Sequence, residues 1–344
     1  MGVPGRAAVG PYRAGWRMSR RLAIGIDIGG TKVAGGVVDP DGNITHRARR
    51  DTPDRSKSPS VVEETIVDVV AELMQIVGPE TIAAVGIGAA GFVAADRATV
   101  VFAPHLSWRH EPLREALQKR VVVPIFVDND ANAAVWAEWK FGAAKGETHV
   151  MMITLGTGIG GGILIDGAVQ RGRFGIAGEF GHMQVVPGGH RCECGNRGCW
   201  EQYASGNALV REAHSMFSAN SPIANDLLDR VDGVVGDLTG PLITAAARDG
   251  DPTARELLAE IGNWLGVGIA NLAAAFDPGT FVVGGGVSAA GDLLLTPARE
   301  TFKRHLTGRG YRPEAQIVAA QLGNDAGLIG AADLARCPAE QQAG

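Results

Sequence analysis

Four side chains within eighteen positions carry the most specific chemical pattern in the chain: His182, Cys192, Cys194 and Cys199, written H-x9-C-E-C-G-N-R-G-C-W-E up to Glu201. Three thiolates and an imidazole at such spacing suit the tetrahedral coordination of a structural zinc ion. Gly195 and Gly198 supply the tight turns that such a knuckle needs. His190 is closer to the cysteines than His182 and competes for the fourth position; spacing alone leaves that choice open. Three of the four cysteines fall in this cluster, so they read as a metal site in a reducing compartment rather than a disulfide framework.

A second kind of chemistry lies in glycine-rich turns. Asp27 stands just before Gly29-Gly30-Thr31-Lys32, and a similar stretch, Ile153-Thr154-Leu155-Gly156-Thr157-Gly158, follows 127 residues after Ile26. Without a Cβ, the amides of such turns approach phosphate oxygens closely. Neither turn fits the P-loop or dinucleotide fingerprint. A third cluster, Gly284-Gly285-Gly286, recurs downstream. Asp27 is placed to hold a Mg²⁺-bound water beside a phosphate chain, and Lys32 adds positive charge. Asp128-Asn129-Asp130 closes an apolar run and precedes a helical one. A helix cap needs only one such residue. Three of them at a strand's carboxyl end, where open α/β sheets bind ligands, suggest that one carboxylate takes a proton from a substrate hydroxyl. Glu179 and Glu201 flank the cysteine knuckle, where carboxylates could accept hydrogen bonds from sugar hydroxyls.

The elements that must position these residues alternate between strand and helix, an α/β class. Leu22 to Val38 reads as a hairpin, with a further turn at Pro40-Asp41-Gly42-Asn43. Ser60 and Glu63 read as a capping box opening an amphipathic helix through Val77. Strands are expected at Ile82–Ile87 and Val121–Val127, a helix over Ile261–Phe276 stopped by Asp277-Pro278-Gly279, and a last helix from Gly323 to about Arg336. The repeated strand, turn, strand grammar points to a duplicated α/β domain, with the two copies facing across a cleft.

The whole chain has 344 residues, 49 glycines and a formal net charge of −5. That length fits two domains, and that charge argues against a polyanion-binding surface. Thr81 to Ala95, read as the most apolar stretch without charge, is too short for a membrane span and is broken by Gly86, Gly88 and Gly91. Residues 1–20 are basic, lack a continuous apolar run, and read as an extension in front of a pattern that starts near Met18. A cytoplasmic enzyme or sensor is expected.

In family order, DIGGTK at 27–32, DNDANAA at 128–134, LGTGIGGG at 155–162, EFGH at 179–182, CxCGxxGCxE at 192–201 and GGG at 284–286 resemble the ROK family (repressor, open reading frame, kinase). The similarity is greatest to its actinobacterial ATP-dependent glucokinases and spans residues 21–336. The resemblance implies an actin-like ATPase (ribonuclease H-like) fold. Residues 21–130 would form a smaller α/β domain, residues 131–322 a larger one carrying the zinc knuckle, and the helix at 323–336 would pack back on the first. It implies transfer of the γ-phosphoryl group of ATP to the 6-hydroxyl of glucose, with Mg²⁺ as cofactor and a structural Zn²⁺. Asp130 would be the general base, and Asn129, Asp130, Glu179, His182 and Glu201 would bind the sugar. Asp27, Gly29, Gly30, Thr31, Lys32, Thr154, Gly156, Thr157, Gly158 and Gly284–Gly286 would hold ATP. His182 would complete the metal set with Cys192, Cys194 and Cys199. A homodimer or homotetramer is implied, with no nucleic-acid or membrane partner. His105 departs from the pattern, which has asparagine there. Kinases for other hexoses or using polyphosphate are the alternatives, and a DNA-binding sensor is disfavoured because only about 20 residues precede the first strand.

Overall fold

The computed structural model describes residues 21–219 and 221–336; the expected extension at 1–20 lies outside the described residues. The first half of the chain runs β1 (Leu22–Ile28), β2 (Lys32–Val38), β3 (Ile44–Asp51), α1 (Pro59–Val77), β4 (Ile82–Ala89), β5 (Phe92–Val93), β6 (Val100–Phe102), β7 (Arg109–Glu111), α2 (Leu113–Gln118) and β8 (Ile125–Asn129). Five of these strands form a sheet in the order β3-β2-β1-β4-β8, while β5, β6 and β7 form a small sheet of their own. After α3 (Asp130–Lys140) come β9 (His149–Leu155), β10 (Ile159–Ile165), β11 (Ala168–Val169), α4 (Glu201–Ala204), α5 (Gly206–Ser218), α6 (Asn225–Asp229), α7 (Gly240–Asp249), α8 (Pro252–Phe276), β12 (Thr280–Gly284), α9 (Asp292–His305), β13 (Gln316–Ala319) and α10 (Ala326–Arg336).

The second large sheet has the order β11-β10-β9-β12-β13. Each sheet opens with an antiparallel run of three strands and continues with two parallel strands, β4 and β8 in one and β12 and β13 in the other. The duplication read from the glycine turns is therefore a duplication of whole topology. One apolar core joins the first sheet to α1; a second gathers α5, α7, α8 and α9 on the second sheet. A third core holds α3 and α10 between the two sheets. α8 is the one helix among the described residues long and apolar enough to cross a membrane, and most of that stretch is buried inside the fold.

The middle layer is close enough for main chains to touch. A Cβ on Gly86 of β4 would sit 1.8 Å from the carbonyl oxygen of Ala331, and one on Gly330 of α10 would sit 1.7 Å from that of Ala133 in α3. Polar side chains fix the same layer. Asp333, fully buried, accepts from Trp136 Nε1 at 2.8 Å and Lys140 Nζ at 2.6 Å. Glu138, also fully buried, accepts from the amides of Ala143, Gln321 and Leu322. A buried carboxylate needs such partners, because an ion left unpaired there is costly.

Two local expectations are corrected, and one strand is added. α1 starts at Pro59 with Ser58 as its N-cap, so Ser60 and Glu63 form no capping box; proline at the first helical position sets the start instead. The strand expected at Val121–Val127 begins only at Ile125, after Pro124, which lacks the N–H a sheet ladder uses. β3 adds an edge strand that alternation did not reveal, because most of ITHRARRD faces solvent.

Gly86→Ala should lower stability by ~1–3 kcal/mol through overpacking against the Ala331 carbonyl, whereas Gly236→Ala, with open space around it, should stay within about 0.5 kcal/mol of the parent. Urea unfolding of the two variants side by side checks this; equal midpoints would contradict the close approach.

Candidate active site

The carboxyl ends of β1, β8, β9 and β12 carry the polar residues of both halves. In the first, Gly29 N–H closes a tight turn on the Lys32 carbonyl at 3.0 Å, and Thr52 Oγ1 donates to the Gly29 carbonyl at 2.8 Å. This holds Gly30 and Thr31 exposed at the tip, with the His105 ring carbons packed over Gly30. In the second, Gly156 N–H bonds the Gly158 carbonyl at 3.0 Å, and the amides of Gly206 and Asn207 at the start of α5 reach the carbonyls of Gly156 and Thr157. Gly284 pairs with Thr154 in the ladder, and Gly285 (φ +85°) packs so tightly on Leu155 that a Cβ would lie 2.4 Å from its carbonyl oxygen. The Thr154–Gly158 turn and the Gly284–Gly286 segment are thus neighbours, and their glycines present backbone rather than side chains.

The three residues at the end of β8 divide their work. Asn129 is the helix cap: its Oδ1 accepts from the amides of Ala131 at 2.9 Å and Asn132 at 3.1 Å, while its Nδ2 donates to the Gly91 carbonyl. Asp128 is buried between Arg97 and Arg171. Burial opposes its ionised form, but the two guanidinium groups, Arg171 first, outweigh that and hold its pKa below the usual carboxylate range. Asp130 accepts from the Ala131 amide at 2.9 Å and pairs with no cation among the described residues.

Four carboxylates follow one another through the cleft. Burial pushes the Asp27 pKa up to about 6, with Lys32 opposing and Asp325 adding to the rise. Burial, then the charge of Asp27, pushes Asp130 up to about 7. Burial, then the charges of Asp130 and Glu201, does the same to Glu179. Groups with pKa values near neutrality are what a general base or a ligand-binding carboxylate needs at physiological pH.

The knuckle closes at the other end of this series. A ring nitrogen of His182 and the three Sγ atoms of Cys192, Cys194 and Cys199 all lie within 4.8 Å of one another. Cys192 Sγ is 3.6 Å from His182 Nδ1, and Cys194 Sγ is 3.6 Å from Cys199 Sγ. Those separations match the edges of a tetrahedron built on metal–sulfur bonds of about 2.3 Å. His190 takes no part: its ring stacks on Tyr203 with centroids 5.3 Å apart. Burial and the neighbouring Glu201 raise the Cys192 thiol pKa, which a bound cation would reverse. Glu201 Oε1 is 3.0 Å from Cys192 Sγ, and its Oε2 lies 2.5 Å from where a Cβ of Gly158 would be, so one carboxylate touches both the knuckle and the second glycine turn.

The structure therefore gathers Asp27, Lys32, Asp130, Glu179, His182 and Glu201 along one cleft and puts the glycine turns at its rims. Sequence reasoning missed Arg97 and Arg171, which come from distant turns and belong to no local pattern; Asp128 at a buried strand end was the one hint that a cation would be required.

Two copies of a five-stranded α/β unit meeting over facing glycine turns and acidic residues define the actin-like ATPase fold, which the structural neighbours share. The chain belongs to the ROK family, whose model matches residues 23–337. A glucokinase from Streptomyces coelicolor is 52% identical over 319 residues, covering 92% of this chain and 98% of that one. The crystal structure of a ROK family glucokinase from Streptomyces griseus in complex with glucose and AMPPNP matches with a TM-score of 0.84 at 52% identity, covering 92% of this chain and 99% of that one. The ROK hexokinase from Thermus thermophilus matches with a TM-score of 0.75 at 33% identity, covering 91% and 97%.

A carboxylate whose pKa rises on folding favours the folded state most at low pH, and that contribution disappears as pH climbs from the unfolded value through the folded one. For Asp130 the window runs from the ordinary aspartate value of 3.8 to about 7. Asp130→Asn, which removes the buried charge, should raise the ligand-free melting temperature at pH 8 by about 2–4 °C and change it little at pH 4. Calorimetric scans at both pH values check this; an Asn variant less stable at pH 8 would contradict the buried charge.

Proposed function

We propose that the chain is an ATP-dependent glucokinase that forms glucose 6-phosphate and ADP. The observation that carries this reading is the likeness, over nearly the whole of both chains, to a glucokinase solved with glucose and AMPPNP. The uncompensated Asp130 carboxylate at the start of α3 supplies the chemistry that reading requires.

In this reading Asn129, Glu179, His182 and Glu201 take the sugar hydroxyls, and Asp130 faces the 6-hydroxyl. Phosphoryl transfer asks mainly for alignment and charge neutralisation. With a pKa near 7, Asp130 is available as an anion at neutral pH to accept the hydroxyl proton as the oxygen attacks in line. The amides of Gly29–Thr31 and Gly156–Gly158 and the Lys32 ammonium hold the phosphates; Gly284–Gly286 and Thr154 border the nucleoside end. Asp27 would orient a Mg²⁺-bound water, and when bound the ion would neutralise charge on the transferring group. Zinc on His182 and the three cysteines would hold the knuckle in shape and so fix Glu201 and the sugar-facing edge of His182. Residues 21–130 with the returning helix at 323–336 form the smaller lobe in this reading, and residues 131–322 the larger. Closure of the two over glucose would exclude water as acceptor. A cytoplasmic homodimer or homotetramer completes the proposal.

ADP release with Mg-ATP should be strong with glucose and weak with fructose, mannose and N-acetylhexosamines. Asp130→Ala should cut turnover by about 10²–10⁴-fold without loss of fold by circular dichroism. A different preferred sugar, or polyphosphate replacing ATP, would redirect the assignment, and a variant with near-parental turnover would overturn the base. Stripping metal with a strong chelator should abolish glucose turnover in parallel with zinc content by atomic absorption, and added zinc should restore both; turnover in metal-free protein would contradict the structural role.

A further inference from the structure

Asp128 sits where the two halves of the sugar pocket are joined. Arg171, which follows β11 at the edge of the second sheet, places Nη2 2.5 Å from Asp128 Oδ2 and Nε 3.1 Å from the same oxygen. Arg97, from the turn between β5 and β6 with φ +51°, places Nη2 2.9 Å from that oxygen. On its other side, Asp128 Oδ1 accepts from the Asn129 amide at 3.0 Å and from Asn132 Nδ2 at 3.3 Å. One carboxylate, 3% exposed, thus holds the start of α3, the β5–β6 turn and a segment of the opposite half.

That segment, residues 171–178, runs directly into Glu179 and His182. It folds on itself through the Ala177 amide to the Arg171 carbonyl. It also touches the first half a second time at Gly175 (φ +87°), where a Cβ would lie 2.4 Å from the Val93 carbonyl oxygen. So Asn129 and Asp130 are fixed from one face of Asp128, and the strap leading to Glu179 and His182 from the other.

We infer that Arg171 and Asp128 are positioning residues: a charge clamp between the two halves that sets how far the Asn129–Asp130 edge of the sugar pocket stands from the Glu179–His182 edge, and with it the affinity for the sugar. The inference rests on the glucokinase reading for what occupies the pocket. The clamp itself rests on the contacts above. Its charge count makes one partner removable. Two guanidinium groups share a single carboxylate, and Nε and Nη1 of Arg97 have no hydrogen-bond partner. Removing Arg171 leaves a neutral Asp128–Arg97 pair, whereas removing Asp128 leaves two buried cations facing each other.

The test is therefore Arg171→Met, with Arg171→Lys as the conservative companion, in the full chain with its metal. A misplacement on the order of 1 Å is enough to cost about 10²-fold in a pocket of this kind. We expect the KM for glucose to rise at least tenfold in R171M, with the KM for ATP within twofold of the parent and an intermediate glucose KM in R171K. Hydrogen exchange should quicken in residues 172–182 and stay unchanged in α8, and this readout needs no turnover. Unchanged glucose KM together with unchanged exchange in the strap would overturn the clamp, as would equal loss of affinity for both substrates. A parent protein that turns over no sugar while R171M still loosens the strap would overturn the glucokinase reading and leave the clamp standing.

Discussion

Everything in the cleft depends on the contact between α3 and α10, two helices that lie between the sheets with their main chains almost touching. The contact exists because Gly330 puts nothing between the two helix backbones, and Gly86 does the same where α10 lies on β4. Burial of this kind gains dispersion over a large area but tolerates no added atom, since interiors are packed to the density of organic crystals. The amino end of α3 carries Asp130, and its last turn carries Glu138, which binds the amides that lead from β13 to α10. One rigid helix thus connects the reacting end of the cleft to the segment where the chain crosses between the sheets.

The acidic groups in the cleft work against this packing. Asp27, Asp130 and Glu179 all have their pKa values raised by burial first and by a neighbouring carboxylate next, so at neutral pH their charges oppose the folded state. Natural sites often keep such a penalty because a ligand relieves it. A sugar hydroxyl, a cation or an ordered water brought to these carboxylates removes the penalty that folding left. Asp128 shows the contrast, since its partners are built in and its ionised form is already secure.

How much could be read in advance follows from the range of the forces involved. The glycine turns, the helical run over 261–276 and the knuckle were legible because turn chemistry, helical period and ligand spacing are local, although that helix starts nine residues earlier, at Pro252. His182 rather than His190 as the fourth donor required the third dimension, since His190 is drawn away by Tyr203. β3 stayed hidden because an edge strand with little buried side chain has almost no alternation to read. The Asp128 pairing lay beyond reach for a different reason: Arg97 and Arg171 meet it only after two sheets and a strap have been assembled, and nothing in the spacing of the three residues encodes that meeting.

The last helix completes the first sheet. α10 covers β1 and β4, its Arg336 donates to the Val38 carbonyl, and the chain that began the fold is finished by its final described turn. During synthesis the amino-terminal sheet must wait, one face uncovered, until α10 has left the ribosome. A chain that stops short of α10 holds Asp27, Asp130, Glu179 and Glu201 and still lacks the layer that fixes α3. The order of the elements therefore makes the working cleft depend on the helix that the chain adds after both sheets, and ties the first strands of the fold to one of its latest described segments.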